Sequence, residues 1–287
     1  GGTAGTAFAV QPVVTLQDAF GNSASGVAQT VTLAIQNNAG PGGTLLGTKS
    51  VTVNQSTGRA TFSGISIDKA GVGYTLTATG STVSTTPGNV VSTSFSVTSG
   101  LATKRRVENA ADGSGVVIGN QNVTSGTSIT LHAIARDAYD NFVLNIAADS
   151  WTFVSSTGGV VPSDLVPGAD KKSATFTGRL TGTAVIGAVV SGLSTVASGT
   201  LTVVVAGTPT QVRVETAANG TGTVVTDRSV TSGSALTVYA VGRDAAGNFI
   251  SNLASDTWSL QNKTGGVVDG DLVASSDRKS ATFTGRL

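Results

Sequence analysis

The chain repeats itself at an interval of 107 residues. Trp151 and Trp258 stand that far apart, as do Asp137 and Asp244, Asn141 and Asn248, and Phe176 and Phe283. Residues 106–180 lie over residues 213–287 without a gap, and more than half of the positions are identical. Val123-Thr-Ser-Gly126 returns as Val230-Thr-Ser-Gly233, and the nine residues from Lys172 return from Lys279. A more divergent copy lies upstream. Its Asp18-Ala-Phe-Gly-Asn22 answers Asp137-Ala-Tyr-Asp-Asn141 and Asp244-Ala-Ala-Gly-Asn248, and its Ala60-Thr-Phe-Ser-Gly64 answers Ala174-Thr-Phe-Thr-Gly178. Self-similarity of this kind means one structural unit used three times, each with its own core.

The unit reads as strands. Ile129, Leu131, Ala133 and Ala135 alternate with polar or small residues, the period of a half-buried strand. Val10, Pro12, Val14 and Leu16 keep the same phase in the first copy. Further strand-like runs cover 30–35, 74–78, 93–97, 184–190 and 200–205, divided by Gly, Asn and Asp clusters, and no window holds a 3.6-residue period. The 38 glycines and six prolines suit a chain with many turns. Hydrophobic residues make up 39% and aromatics 5%, so each core rests on Val, Ile, Leu and Ala with one or two large anchors. We therefore expect an all-β chain of tandem β-sandwich domains in a linear array. The divisions fall at 1–102, 103–207 and 208–287, with joins near 99–103 and 207–209. Each division is close to the roughly 100 residues of one immunoglobulin-type sandwich. Against the middle copy, the first lacks an equivalent of the 106–109 strand and the third lacks the two strands that follow residue 180.

The pattern of strand, Asp-Ala-x-Gly-Asn, strand, glycine-rich stretch, Ala-Thr-Phe-x-Gly and closing strand resembles bacterial immunoglobulin-like domains of the invasin and intimin type. Residues 13–22, 58–64 and 70–79 of the first copy carry it best. The resemblance covers nearly the whole chain at the level of fold. It implies rigid beads that hold a terminal binding domain away from a cell surface. Arg136 and Arg243, which precede the Asp-Ala turns, depart from the usual pattern.

Composition excludes several functions. Basic and acidic residues number 17 and 16, for a net charge of +1, which leaves no electrostatic footprint for nucleic acid. There is no cysteine for a disulfide, a thiolate metal site or a nucleophile. No apolar run approaches the roughly 18 residues of a membrane span. The only glutamates, Glu108 and Glu215, occupy one position in two copies, too far apart for an acid and base pair. His132 is replaced by Tyr239 in the third copy. No catalytic, cofactor-binding or metal-binding residue is expected, and no cofactor.

The Asp-Ala turn, richest at Asp137, Asp140 and Asn141, offers oxygens to calcium but is expected to be a turn whose Asp bonds backbone amides and whose Asn or Gly is left-handed. Trp151 and Trp258 are expected in strands as core anchors rather than as sugar platforms. Lys104-Arg-Arg106 is expected to be a solvated strand start. Asn54, Asn122, Asn219 and Asn262 begin glycosylation sequons. Lys172 and Lys279 are the candidates for an intramolecular isopeptide bond. Tyr139 and Phe20 are the loop aromatics, with Ala246 in their place in the third copy.

The expected function is that of a structural, non-catalytic repeat segment of a long extracellular or cell-surface protein, an adhesin stalk or surface filament. Its partners would be neighbouring immunoglobulin-like domains of the same or an adjacent chain. The alternative is a module that binds a glycan or a protein through loops at one end of the sandwich. The incomplete end copies fit either a window on a longer array or a polymerising subunit completed by strands of its neighbours, and the absence of a spare strand favours the window.

Overall fold

Residues that alternate between apolar and polar become strands wherever a neighbouring segment can take up their free amides and carbonyls. The computed structural model, which describes residues 1–81 and 90–286, contains strands, turns and two short 3-10 segments. The fold is all-β, made of immunoglobulin-like sandwich repeats. Among the described residues, no helix is long and apolar enough to cross a membrane. Two compact units divide the chain. One comprises Gly1–Val116, His132–Ala148 and Val190–Val196, and the other comprises Val117–Leu131, Asp149–Val189 and Ala197–Leu287. The middle copy contributes to both.

In the first unit, copy 1 forms a sheet in the order Gly2–Thr3, Phe95–Thr98, Gly71–Gly80, Thr30–Asn37 and Ser50–Thr52, with Val90–Val91 also on Gly71–Gly80. Two small ladders, Val13–Thr15 with Arg59–Thr61 and Leu45–Leu46 with Ser66–Ile67, share its core. Val31, Leu33, Tyr74, Leu76 and Ala78 face inward at every second position, against Phe62, Ile65 and Ile67. Phe95 lies between Phe8 and Tyr74, 5.4 and 6.1 Å from their ring centres. The strand expected from Val10 to Leu16 is shorter than its pattern, covering only Val13–Thr15. Val10 is 87% exposed. Pro12 has no N–H to give a ladder; its carbonyl accepts from the Phe62 amide at 3.1 Å, and the strand follows it. The same unit holds Lys104–Glu108 of copy 2, antiparallel to residues 132–136 and parallel to Ser194–Val196.

The second unit holds the sheet Gln121–Thr124, Leu201–Val204, Gly182–Val189 and Ser150–Gly158. The hairpin Leu165–Pro167 with Ser173–Thr177 places Phe176 edge-on to Phe153, at 6.0 Å. Trp151 is 7% exposed, and its Nε1 donates to the Lys171 carbonyl at 2.9 Å. In copy 3, Ala235–Arg243 lies between Gln211–Glu215 and Ser280–Thr284. Trp258 departs from expectation. It is half-buried and outside any strand, although its Nε1 makes the same bond, to Arg278. The strand of Trp151 is paired along its length with Gly182–Val189, and among the described residues of copy 3 no strand takes that part.

Candidate functional site

Each Asp-Ala turn closes on itself in the same way. Asp137 Oδ1 accepts from the amides of Tyr139 and Asn141, both at 2.9 Å, and Asp137 Oδ2 accepts from Asn141 Nδ2 at 2.8 Å. Asp244 binds the amides of Ala246 and Asn248 and the Asn248 side chain alike, and Asp18 does so with Phe20 and Asn22. The left-handed residue is the fourth of the five, Gly21 at φ +86°, Asp140 at +67° and Gly247 at +95°, a conformation that glycine and aspartate adopt most readily. Asparagine, the fifth, is therefore free for another task.

That task is to hold the preceding copy. Asn141 Nδ2 donates to the carbonyl of Asp68 and its Oδ1 accepts from the amide of Ala70, both at 2.9 Å. Asn248 Nδ2 donates to the carbonyl of Arg179 at 2.8 Å and its Oδ1 accepts from the amide of Thr181 at 2.8 Å. The two grips are equivalent. Each engages a carbonyl and the amide two residues later, on the loop that enters Gly71–Gly80 in one case and Gly182–Val189 in the other. Asn141, Asp137, Asn248 and Asp244 are all buried. Neighbouring groups reinforce the grips. The Gly100 amide donates to Asp137 Oδ2 at 2.8 Å, and Lys69 Nζ donates to the Tyr139 carbonyl at 2.5 Å. In the second grip, Ser125 Oγ donates to the Arg179 carbonyl at 2.6 Å and accepts from Asn248 Nδ2. The Tyr139 ring lies so close to Gly5 that a Cβ there would stand 1.9 Å from its Cε2. Asp18, Phe20 and Asn22 are exposed, Phe20 at 90%.

A buried ion pair braces the turns of copies 2 and 3. Arg136 Nε and Nη2 donate to the two oxygens of Glu108 at 2.5 and 2.6 Å, while Nη1 donates to the Asp140 carbonyl at 2.9 Å and Nη2 also to Gly113 at 3.1 Å. Arg243 repeats this with Glu215, Gly247 and Gly220 at 2.5, 2.7, 2.8 and 3.1 Å. One guanidinium thus joins an adjacent strand, the loop after it and the fourth residue of the turn. The fork matches a carboxylate in plane, which makes it the strongest arrangement of such a pair. Copy 1 has Gln17 in place of the arginine.

These surroundings set the ionisation of the turn. Burial pushes the Asp137 carboxyl up, but the Asn141 side chain and the amides of Gly100, Asn141 and Tyr139 outweigh it and hold the group below the usual carboxylate range. Asp244 is lowered in the same way, against burial, by Asn248, Ser125 and Ala246. Hydrogen bonding to Glu108 holds Arg136 above its ordinary value despite burial.

Lys104-Arg-Arg106 differs from the expected solvated run. Arg105 is 3% exposed and donates to the carbonyls of Val190 and Leu193 and to Thr195 Oγ1. Strand alternation turns it away from Lys104 and Arg106, both of which pair with Asp140, at 2.5 and 2.7 Å. Lys172 and Lys279 are exposed, so neither has the buried setting that an isopeptide bond needs. The four sequon asparagines are exposed and His132 is half-buried. Among the described residues no cluster of three or more His, Cys, Asp or Glu is placed to hold a metal. Sequence reasoning missed the grip of the asparagines and the Glu–Arg pairs. The second was there to find, since Glu108 and Arg136 recur in step as Glu215 and Arg243.

No family model matches the chain, and no curated protein sequence matches it. Solved structures give weak overlaps. Domains 3–5 of the extracellular region of Drosophila OTK are 9% identical, over 100% of this chain and 85% of that one, with a TM-score of 0.29. Domains A168–A170 of titin are 12% identical over 83% and 75%, with a TM-score of 0.22. A Bacteroides ovatus mixed-linkage glucan utilisation protein, SGBP-B, solved with a mixed-linkage heptasaccharide, is 14% identical over 99% and 56%, with a TM-score of 0.20. Overlaps this slight have no bearing on function.

Proposed function

We propose that this chain is a structural, non-catalytic repeat segment of a long extracellular or cell-surface protein, an adhesin stalk or surface filament of the invasin and intimin type. Its domains are residues 1–102, 103–207 and 208–287. The observation that carries this reading is the asparagine grip, made once by Asn141 and once by Asn248 on equivalent main-chain groups of the copy before. A buried side chain that bonds another repeat does mechanical work, because it ties the opening of a joint to the loss of two hydrogen bonds. The partners are then neighbouring domains of the same kind. The buried carboxylates of Glu108 and Glu215 are each neutralised by an arginine and are unavailable for acid–base chemistry. The low charge suits an exposed scaffold.

Limited proteolysis tests the reading. Replacing Asn141 and Asn248 with alanine is expected to open cleavage in the loops at 68–70 and 179–181 while each sandwich stays resistant. Cleavage no faster than in the parent chain sinks it. The alternative, a loop-based module for a glycan or protein, has one observation in its favour, the exposed ring of Phe20.

A further inference from the structure

The chain has a single Asn-Gly step, Asn219-Gly220. Asn219 is exposed, and its Oδ1 accepts from the Thr221 amide at 3.2 Å and from Thr221 Oγ1 at 2.6 Å. To meet an amide two residues on, the carboxamide folds back over the peptide nitrogen between them, that of Gly220. Position 220 is closed to any side chain, because a Cβ there would stand 2.6 Å from the Phe249 Cβ. The Gly220 carbonyl accepts from Arg243 Nη2 at 3.1 Å, so the buried Glu215–Arg243 pair also holds this peptide. Copy 2 keeps the turn with one change. Asp112 stands where Asn219 stands, and its Oδ1 accepts from the Ser114 amide at 3.0 Å and from Ser114 Oγ at 2.6 Å. Gly113 meets Phe142 as Gly220 meets Phe249, and its carbonyl accepts from Arg136 Nη2 at 3.1 Å. The turn therefore takes an amide or an acid with the same bonds. Copy 1 offers a contrast. Asn54 Oδ1 accepts from the amide and the Oγ of Ser56 at 3.0 and 2.6 Å, but the residue between them is Gln55.

We infer that Asn219 is a site of spontaneous deamidation, set up by its own turn. The Gly220 nitrogen gives its proton to solvent and attacks Asn219 Cγ. As that bond forms, negative charge gathers on Oδ1, where the Thr221 amide and hydroxyl are placed to stabilise it. The side-chain nitrogen takes up a proton and leaves as ammonia, and a cyclic succinimide remains. Water then opens the ring at either carbonyl. One water is consumed, one ammonia is released, and nothing is oxidised or reduced. Glycine leaves the approach to Cγ clear, whereas a side chain on the attacking residue crowds it, so the matching turn at Asn54 is slow. The two products differ in their effect. Opening at Cγ gives ordinary aspartate, the residue that copy 2 carries at Asp112. Opening at the main-chain carbonyl gives isoaspartate, which routes the backbone through the side chain and lengthens it by a methylene. The Gly220 carbonyl then loses its place beside Arg243. The inference does not rest on the asparagine grips or on the structural reading of the chain.

The test ages the full chain in mildly alkaline buffer beside a synthetic peptide of residues 214–225. Peptide mapping by mass spectrometry is expected to show Asn219 becoming acid ahead of every other asparagine, Asn54 included, and no more slowly than in the free peptide. An isoaspartyl methyltransferase should label the aged chain at position 219. Thr221→Val keeps the shape and the amide but removes the hydroxyl donor, and should slow the reaction about threefold or more. As isoaspartate accumulates, the urea midpoint of copy 3 should fall, while Asn219→Asp should unfold as the fresh parent does. An Asn219 that outlasts its counterpart in the peptide, equal reaction at Asn54, or indifference to Thr221→Val overturns the inference. An aged chain as stable as Asn219→Asp overturns the link to Arg243.

Discussion

Glu108 and Arg136 show how much one residue pair carries. The carboxylate is wholly buried and both its oxygens are bonded to a single guanidinium. Removing one partner strands a charge in the interior, so Glu108→Ala is expected to lower unfolding stability by about 3–5 kcal/mol, read from urea denaturation. The double change to leucine at 108 and 136 should recover much of that loss, since it buries no charge. The loss should exceed zero even so, because Arg136 also holds Asp140 and Gly113. Asp137 and Asp244 give a second expectation. Their carboxyls are lowered in the folded chain relative to the unfolded value of about 3.9. The stabilisation they bring is present above that unfolded value and is lost as pH falls through the folded one. Melting temperature followed from neutral pH into acid should therefore drop, and Asp137→Asn should start lower and show a shallower acid slope. An unchanged slope counts against the assigned role of Asp137.

At the scale of the element, the turn and the loop it grips form one device made from two copies. Asn141→Ala deletes both bonds to residues 68 and 70 and leaves a half-buried carbonyl and amide without them, a cost of about 1–3 kcal/mol. Amide exchange at Ala70 should quicken, and Asn248→Ala should do the same at Thr181. Asn22→Ala should alter stability by no more than about 0.5 kcal/mol, because that turn is exposed. Much of the fold could be read in advance from such elements. Period-two alternation marks the strands, and the chemistry of Asp-Ala-x-Gly-Asn marks the turns and their internal bonds. Val10 and Trp258 fail the same reasoning for physical reasons, the one cut off by Pro12 and the other without a partner strand. The grip itself was illegible. The contacts the two grips share are to main-chain groups, and Asp68-Lys-Ala70 and Arg179-Leu-Thr181 share no residue, so no common side-chain pattern announces it.

For the molecule as a whole, stability approximates a sum over copies and the contacts that join neighbours. Weakening one contact should then change cooperativity more than content. Calorimetry of the Asn141→Ala chain is expected to show copy 1 melting in a transition of its own, ahead of the remainder. A single transition shifted as a block would mean that Asn141 contributes only to local folding. The same indifference to side chains has an evolutionary side. A joint whose shared contacts are a carbonyl and an amide on a loop of the right geometry sets few residue-by-residue demands between one copy and the next. Recombination that adds, deletes or reorders copies leaves every new junction with a working lock, and each copy stays free to drift on its surface. The second and third copies, more than half identical beside a diverged first one, fit such a history.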